Sequence, residues 1–306
     1  MDNLTFYTER LTGFQAAAES QRELLRQNPD DVGAQFFAEA YEVYVSDAKH
    51  ECNLAQAEQL QELFEVRLFG EEVSDGTIRL DTLAKLAGPL SATFKHAAHR
   101  LHFGKVARHK VDKSISALLD LRLGALAYGS TKLYITGNVH PDLTGQSLLQ
   151  QTLLQIFKLL TVKSEDFYDA VDAVGLKSAR KLDEMLATMQ AHGMAAEWHW
   201  DSPGNKYSWD GSTDEILRVK SLLETITEPE SYVENLTGEI SGIHDVGRLE
   251  LRTNEGKVKI RFALQQTSMV LDLHLHQAVN LKVETNRYFD SLSKSYVFKH
   301  FLLERM

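Results

Sequence analysis

Two histidines spaced two apart, His274 and His276, are the nearest thing in this chain to a metal-binding pair. In a β-strand that spacing points both imidazoles to one side, which is how a two-histidine metal bite begins. A third ligand would be required, and Asp272 is the acid beside them. Four more histidines, His96, His99, His102 and His109, are mixed into the one basic concentration of the chain. There Lys95, Arg100, Lys105, Arg108, Lys110 and Lys113 fall within 19 residues, with Asp112 the only acid. Histidines at i, i+3 and i+6 share part of a helix face. Without an acid or cysteine at a defined spacing they are not a metal signature. The chemistry that suits this stretch is contact with an anion or phosphate, set against an ordinary solvated face. No metal ligand is assigned from either group.

Lys257, Lys259 and Arg261 alternate with Val258, Ile260 and Phe262, so a strand here would have one basic face. Small barrels bind single strands or oligosaccharides across such faces, with aromatic rings to stack on. Tyr288 and Phe289 are available for that role. A polar outer face gives the same pattern. Trp198 and Trp200 share one face of a strand, and Tyr207 and Trp209 one face of the next. They suit either a stacking platform for a base or peptide side chain, or the core of a small module. His199 falls on the face opposite the tryptophans.

The search for catalytic chemistry is negative. There is no G-x-S-x-G, H-E-x-x-H, paired cysteine, P-loop lysine, G-x-G-x-x-G or calcium loop. The single cysteine, Cys52, lies among acids that would raise its pKa, which makes it a poor nucleophile, and one thiol forms no internal disulfide. No catalytic residue and no cofactor is expected.

Composition narrows the class. Hydrophobic residues make up 43% and charged residues 25% of 306, enough to bury a sizeable core. No run approaches the roughly 20 apolar residues that cross a bilayer, and the first residues lack a basic and apolar leader. A cytoplasmic protein without membrane contact is expected. The net charge is −10, and residues 1–75 hold 16 acidic and 5 basic side chains. That acidic stretch would repel phosphates, so nucleic-acid contact belongs elsewhere.

The elements that must position these residues follow from periodicity. Helices are expected at 8–28, 32–47 and 53–62, an acidic three-helix packet with Phe36, Phe37, Tyr41 and Tyr44 as an aromatic core stripe. Alternation predicts a strand at 63–69. A helix to about 103 follows, with a kink or restart at Gly88-Pro89. A hairpin spans 119–136, and Thr136, Gly137 and Asn138 end it at a candidate contact point. Asp142 or Thr144 would cap an apolar helix at 145–161. Two helices fill 165–192, then a tryptophan hairpin and a helix at 213–226. After the linker Thr227-Glu228-Pro229-Glu230 come five strands, at 232–243, 248–253, 257–263, 279–286 and 296–302, with one helical insertion or loop at 265–275. Gly238 and Gly242 would let the first of these strands curl. The fold class is α+β: an N-terminal helical packet (1–62), a central antiparallel sheet with helices (63–226), and a C-terminal small β-barrel, OB-like or SH3-like (231–306).

The run VRLFGEEVSDGTIRLDTLAKLAGPL at 66–90, taken with the hairpin around Gly129-Ser130, resembles a loose group of uncharacterised bacterial proteins. The resemblance spans most of 63–302. It implies a terminal barrel like residues 232–302 and a setting among mobile or defence-related genes, and it transfers no functional residue. The expected function is a non-enzymatic binding, sensor or adaptor subunit, in a bacterial antiphage or stress-response system, with a protein partner encoded nearby. One alternative is a nucleic-acid binder that uses 95–113 and the barrel strand on single-stranded nucleic acid. The other is a metal-dependent hydrolase using His274 and His276.

Overall fold

The computed structural model describes residues 3–29, 31–60, 62–73, 77–104, 110–127, 131–138, 146–202, 205–244, 247–290 and 293–306. The chain divides into two compact units, Met1–Leu63 and Phe64–Met306.

The first unit is a hairpin of two long helices, α1 (Asn3–Gln27) and α2 (Val32–Leu60), and not three. Nothing stops α2 where a break was expected, because Ala48-Lys49-His50-Glu51-Cys52 contains neither glycine nor proline. Asn28-Pro29 ends α1, and the Asp31 carboxylate accepts the Ala34 amide at 3.0 Å where α2 begins. Arg10 meets Glu51 at 2.6 Å and Arg22 meets Glu42 at 3.0 Å, which fixes an antiparallel alignment. Among the described residues the buried ones are small: Ala18, Ala34, Ala38 and Ala48. The aromatic stripe is therefore not core: Phe36, Phe37 and Tyr44 are at least half exposed and Tyr41 is half-buried, with Tyr44 stacking on Phe14 of α1 at 5.5 Å.

In the second unit, β1 (Glu62–Phe69) is the middle of a five-stranded sheet. On one side lie β2 (Arg122–Ala127) and β3 (Thr131–Gly137), and on the other β4 (Ala195–Ser202) and β5 (Asn205–Gly211), in the order β2-β3-β1-β4-β5. β1 runs antiparallel to β4, with Val66 opposite Trp198. Phe64, Val66 and Leu68 point inward, as their alternation requires, while Arg67 and Glu197 pair at 3.4 Å on the other face. Helices cover the inner face: α3 (Leu80–Phe103), α5 (Leu148–Thr161), α6 (Phe167–Val174), α7 (Leu176–Ala191) and α8 (Thr213–Glu224). A short α4 (Lys113–Leu119) precedes β2. Helix α3 runs through Pro89 without restarting. Helix α5 starts later than expected, at a capping box in which Ser147 and Gln150 satisfy each other's backbone amides. The expected caps, Asp142 and Thr144, lie outside the described residues. No helix among the described residues is long and apolar enough to cross a membrane.

The remaining strands form a closed barrel: β6 (Glu230–His244), β7 (Arg248–Thr253), β8 (Gly256–Arg261), β9 (Ala278–Asp290) and β10 (Ser295–Arg305). β6, β7 and β8 are a meander. β8 then pairs in parallel with β10, β10 pairs with β9, and β9 returns to β6. A short helix α9 (Thr267–Leu271) bridges the third and fourth strands. This connectivity is that of an OB barrel. β6 serves two neighbours by curling, pairing first with β9 and then with β7. Gly238 sits at the bend, where a Cβ would lie 2.4 Å from the Arg252 carbonyl oxygen.

Candidate functional site

The second and third barrel strands decide where the charge goes. Across β7 and β8, Arg248 stands opposite Arg261, Glu250 opposite Lys259, and Arg252 opposite Lys257. Leu249, Leu251 and Ile260 point into the barrel. Period-two alternation thus puts five cations and one acid on a single outer face. Three of the expected site residues, Lys257, Lys259 and Arg261, are brought together here.

That face is one wall of a cleft of about 680 Å³. The opposite wall comes from the helical layer: Gln155 and Lys158 near the end of α5, Thr161, Lys163, Asp166, and Asp169 on α6. β10 adds Phe298, Lys299 and His300. Some of the charge is neutralised within the protein. Lys299 binds the Asp169 carboxylate, and Arg261 lies 3.5 Å from Asp172 while donating to the Asp169 carbonyl at 3.0 Å. Lys158, Lys163, Lys257 and Lys259 have no ion-pair partner among the described residues. Lys158 is open to solvent yet walled in by protein. Burial lowers its pKa, and the charges of Arg261 and Arg248 lower it further. Asp169 shows the converse. Burial would raise its pKa, but the Lys299 hydrogen bond and the charges of Lys299, Arg261 and Lys259 outweigh it and the pKa falls. Cations are crowded enough to disfavour one another's charge, and an incoming anion would relieve that.

The cleft is held open by a buried ionic joint. Asp172 and Arg100 are each 3% exposed and meet at 3.1 Å. Arg100 also donates to the Gly104 carbonyl at 2.7 Å and lies 4.3 Å above the Phe301 ring of β10. Asn286 of β9 reaches Asp172 at 3.5 Å. Asp172 therefore ties α3, α6, β8 and β9 together, fixing the barrel against the helices.

The other expected contact residues do not join this cleft. In the basic stretch, Arg100 is drawn inside by Asp172, so it is not part of a solvated cationic face. Lys95 is half-buried on α3, and Lys113 is exposed at the start of α4. Lys110 borders a second cleft of about 900 Å³, where Lys177 and Arg180 are offset by Asp112, Glu228 and Glu284. Lys105, Arg108 and His109 lie outside the described residues. His96 and His102 have pKa values lowered first by burial and then by neighbouring basic groups, chiefly Lys177 for His96 and the His99 imidazole for His102.

Trp198, Trp200 and Trp209 are 1%, 2% and 3% exposed. They offer no stacking surface, because the face they share is the one the helices cover. Trp200 stacks on half-buried Tyr207 at 4.7 Å, and Trp198 meets Phe64 edge-on at 5.0 Å. His199 is exposed on the opposite face, as expected. Tyr288 is buried against Tyr168, and burial raises its pKa. Phe289 is exposed but pairs with Tyr296, away from the cleft lining. Thr136 and Gly137 are buried, and the Asn138 amide donates to the Leu119 carbonyl at 3.0 Å, so that point is a packing joint. His274 and His276 sit in a turn, not a strand. His276 has a φ of 67° and binds Glu239 at 2.6 Å, so the two imidazoles lack the same-side geometry of a metal bite. Among the described residues, no group of three or more His, Cys, Asp or Glu is placed to hold a metal ion.

No family model, no curated protein and no solved structure matches the chain. The site rests on its own geometry. The residues that sequence reasoning missed are Lys158, Lys163, Asp172, Phe298 and Lys299. A lone lysine on a strongly apolar helix carries no signal of what faces it.

Proposed function

We propose that the protein is a non-enzymatic binding subunit whose cleft takes single-stranded nucleic acid. The observation that carries this reading is the convergence of four lysines without ion-pair partners among the described residues from two walls of one cleft, two from the helical layer and two from the barrel. A phosphate backbone lying between those walls would be contacted from both sides. Phe298, 46% exposed at the same cleft, supplies a ring on which a base can stack. The cleft follows the second and third strands of an OB barrel, the surface such barrels use for oligonucleotides, which supports the reading by analogy of fold. The rest of the surface is acidic enough to bring the whole chain to −10, and this would keep other phosphate contacts weak. We place the protein in the cytoplasm, as sensor or adaptor beside an enzyme encoded nearby.

Anisotropy of a labelled oligothymidine tests the proposal. Saturable binding at low salt that is weakened in Lys158→Ala/Lys259→Ala is expected. No binding by the folded wild-type protein, or tighter binding of duplex than of single strand, contradicts it.

A further inference from the structure

The sheet and the helices above it leave a cavity of about 220 Å³. It is lined by Leu68, Leu86, Leu90, Leu133, Met189 and Trp198 among the described residues, and each of these six is buried. An apolar cavity can simply stay dry and empty. This one has a second feature. Trp198 is 1% exposed, and its indole Nε1 has no hydrogen-bond partner among the described residues. A buried indole N–H normally finds an acceptor, and one that has none calls for an explanation. Trp209, its cross-strand neighbour, does have one: its Nε1 donates to Glu215 at 3.2 Å. The way in lies between α3 and β2, where Ala87 and Leu123 border the cavity and are exposed.

We infer that this cavity is a binding site for a small, uncharged, apolar molecule carrying one hydrogen-bond acceptor, such as a ketone or ester carbonyl, which the Trp198 N–H would meet. A charged headgroup does not fit: Arg122, the one charged residue bordering the cavity among the described residues, is exposed and already paired with Asp120 at 2.7 Å, and burying an unpaired charge is costly. An apolar cavity of about 150 Å³ holds benzene, so this one takes roughly eight to ten non-hydrogen atoms. The site is separate from the cationic cleft and does not depend on what binds there.

The test uses the full chain and octan-2-one, an uncharged ketone of that size. The three tryptophans give three indole N–H resonances, and Trp198→Phe identifies the one belonging to Trp198. Addition of octan-2-one is expected to move that resonance downfield in a saturable way. Ala87→Phe narrows the mouth from an exposed helix position, so it leaves folding intact. Leu90→Phe fills the interior. Each is expected to weaken binding at least about tenfold, a loss of roughly one contact's worth of affinity. If the Trp198 resonance moves no further than the other two up to the solubility limit of the ketone, the inference is wrong. It is equally wrong if Ala87→Phe binds as tightly as the wild type.

Discussion

Replacing Asp172 by asparagine keeps the shape of the side chain and removes the one negative charge between two arginines. Arg100 lies 3.1 Å and Arg261 3.5 Å from the carboxylate. Breaking a buried ion pair from one side costs about 3–5 kcal/mol, because the partner is left charged and unpaired. Arg100 retains its bond to the Gly104 carbonyl, and Arg261 its bond to the Asp169 carbonyl, so the lower part of that range applies. For a domain of 150–250 residues each kcal/mol moves the melting temperature by about 2–4 °C. The expected fall is then roughly 6–15 °C, read by tryptophan fluorescence or calorimetry. Removing the Arg100 charge as well, in Arg100→Met/Asp172→Leu, is expected to recover part of the loss, since a pair replaced by apolar side chains of similar size is close to neutral. A cost of Asp172→Asn below about 1 kcal/mol would refute the idea that this joint holds the barrel against the helices.

Two further outcomes follow from the same geometry. The His300 imidazole, bonded to Thr285 at 2.8 Å, has its pKa lowered by burial in spite of Glu234 and Asp172 nearby and with the help of Lys299. The unfolded chain therefore takes up this proton more readily, and stability is lost as pH falls below about 6.5. His300→Asn is expected to flatten the melting temperature between pH 7 and pH 5, and an unchanged slope would contradict this. Gly104 has a φ of 68°, and a Cβ there would lie 2.1 Å from the Phe301 ring. Gly104→Ala is expected to destabilise by about 2–4 kcal/mol in urea unfolding, through both strain and overpacking.

Local pattern was a good guide wherever neighbours in sequence are neighbours in space. The barrel strands, the tryptophan hairpin and the basic face of Lys257, Lys259 and Arg261 follow from period-two alternation, whereas the first strand of the other hairpin does not begin at Leu119 as expected: Leu119 ends α4, Asp120 caps it with a positive φ, and β2 starts at Arg122. Alternation does not say which face is covered; the core reading of the tryptophan hairpin, the one its composition favours over a stacking platform, is settled by β1 and the helices that cover that face. The contact that sets Arg100 apart from the other cations of its stretch is made with Asp172, 72 residues away, and no local signal marks it. The helical wall of the cleft was illegible for the same reason. Lys158 acquires its meaning only from the barrel strand across from it. The third helix expected at 53–62 is the continuation of α2, since no glycine or proline separates Ala48 from Cys52.

The central claim is that four lysines in one cleft contact phosphates, and the salt dependence of oligothymidine binding tests it most directly. Four phosphate contacts on a single strand predict a slope of log K against log salt of about −3. Affinity should then fall about 50-fold between 50 and 200 mM salt. Lys158→Ala/Lys259→Ala removes two of the four and should halve the slope, leaving a fall of about sevenfold. A slope that stays near −3 in that variant would place the contacts elsewhere on the protein, and a wild-type slope near zero would mean that the cleft does not bind phosphates.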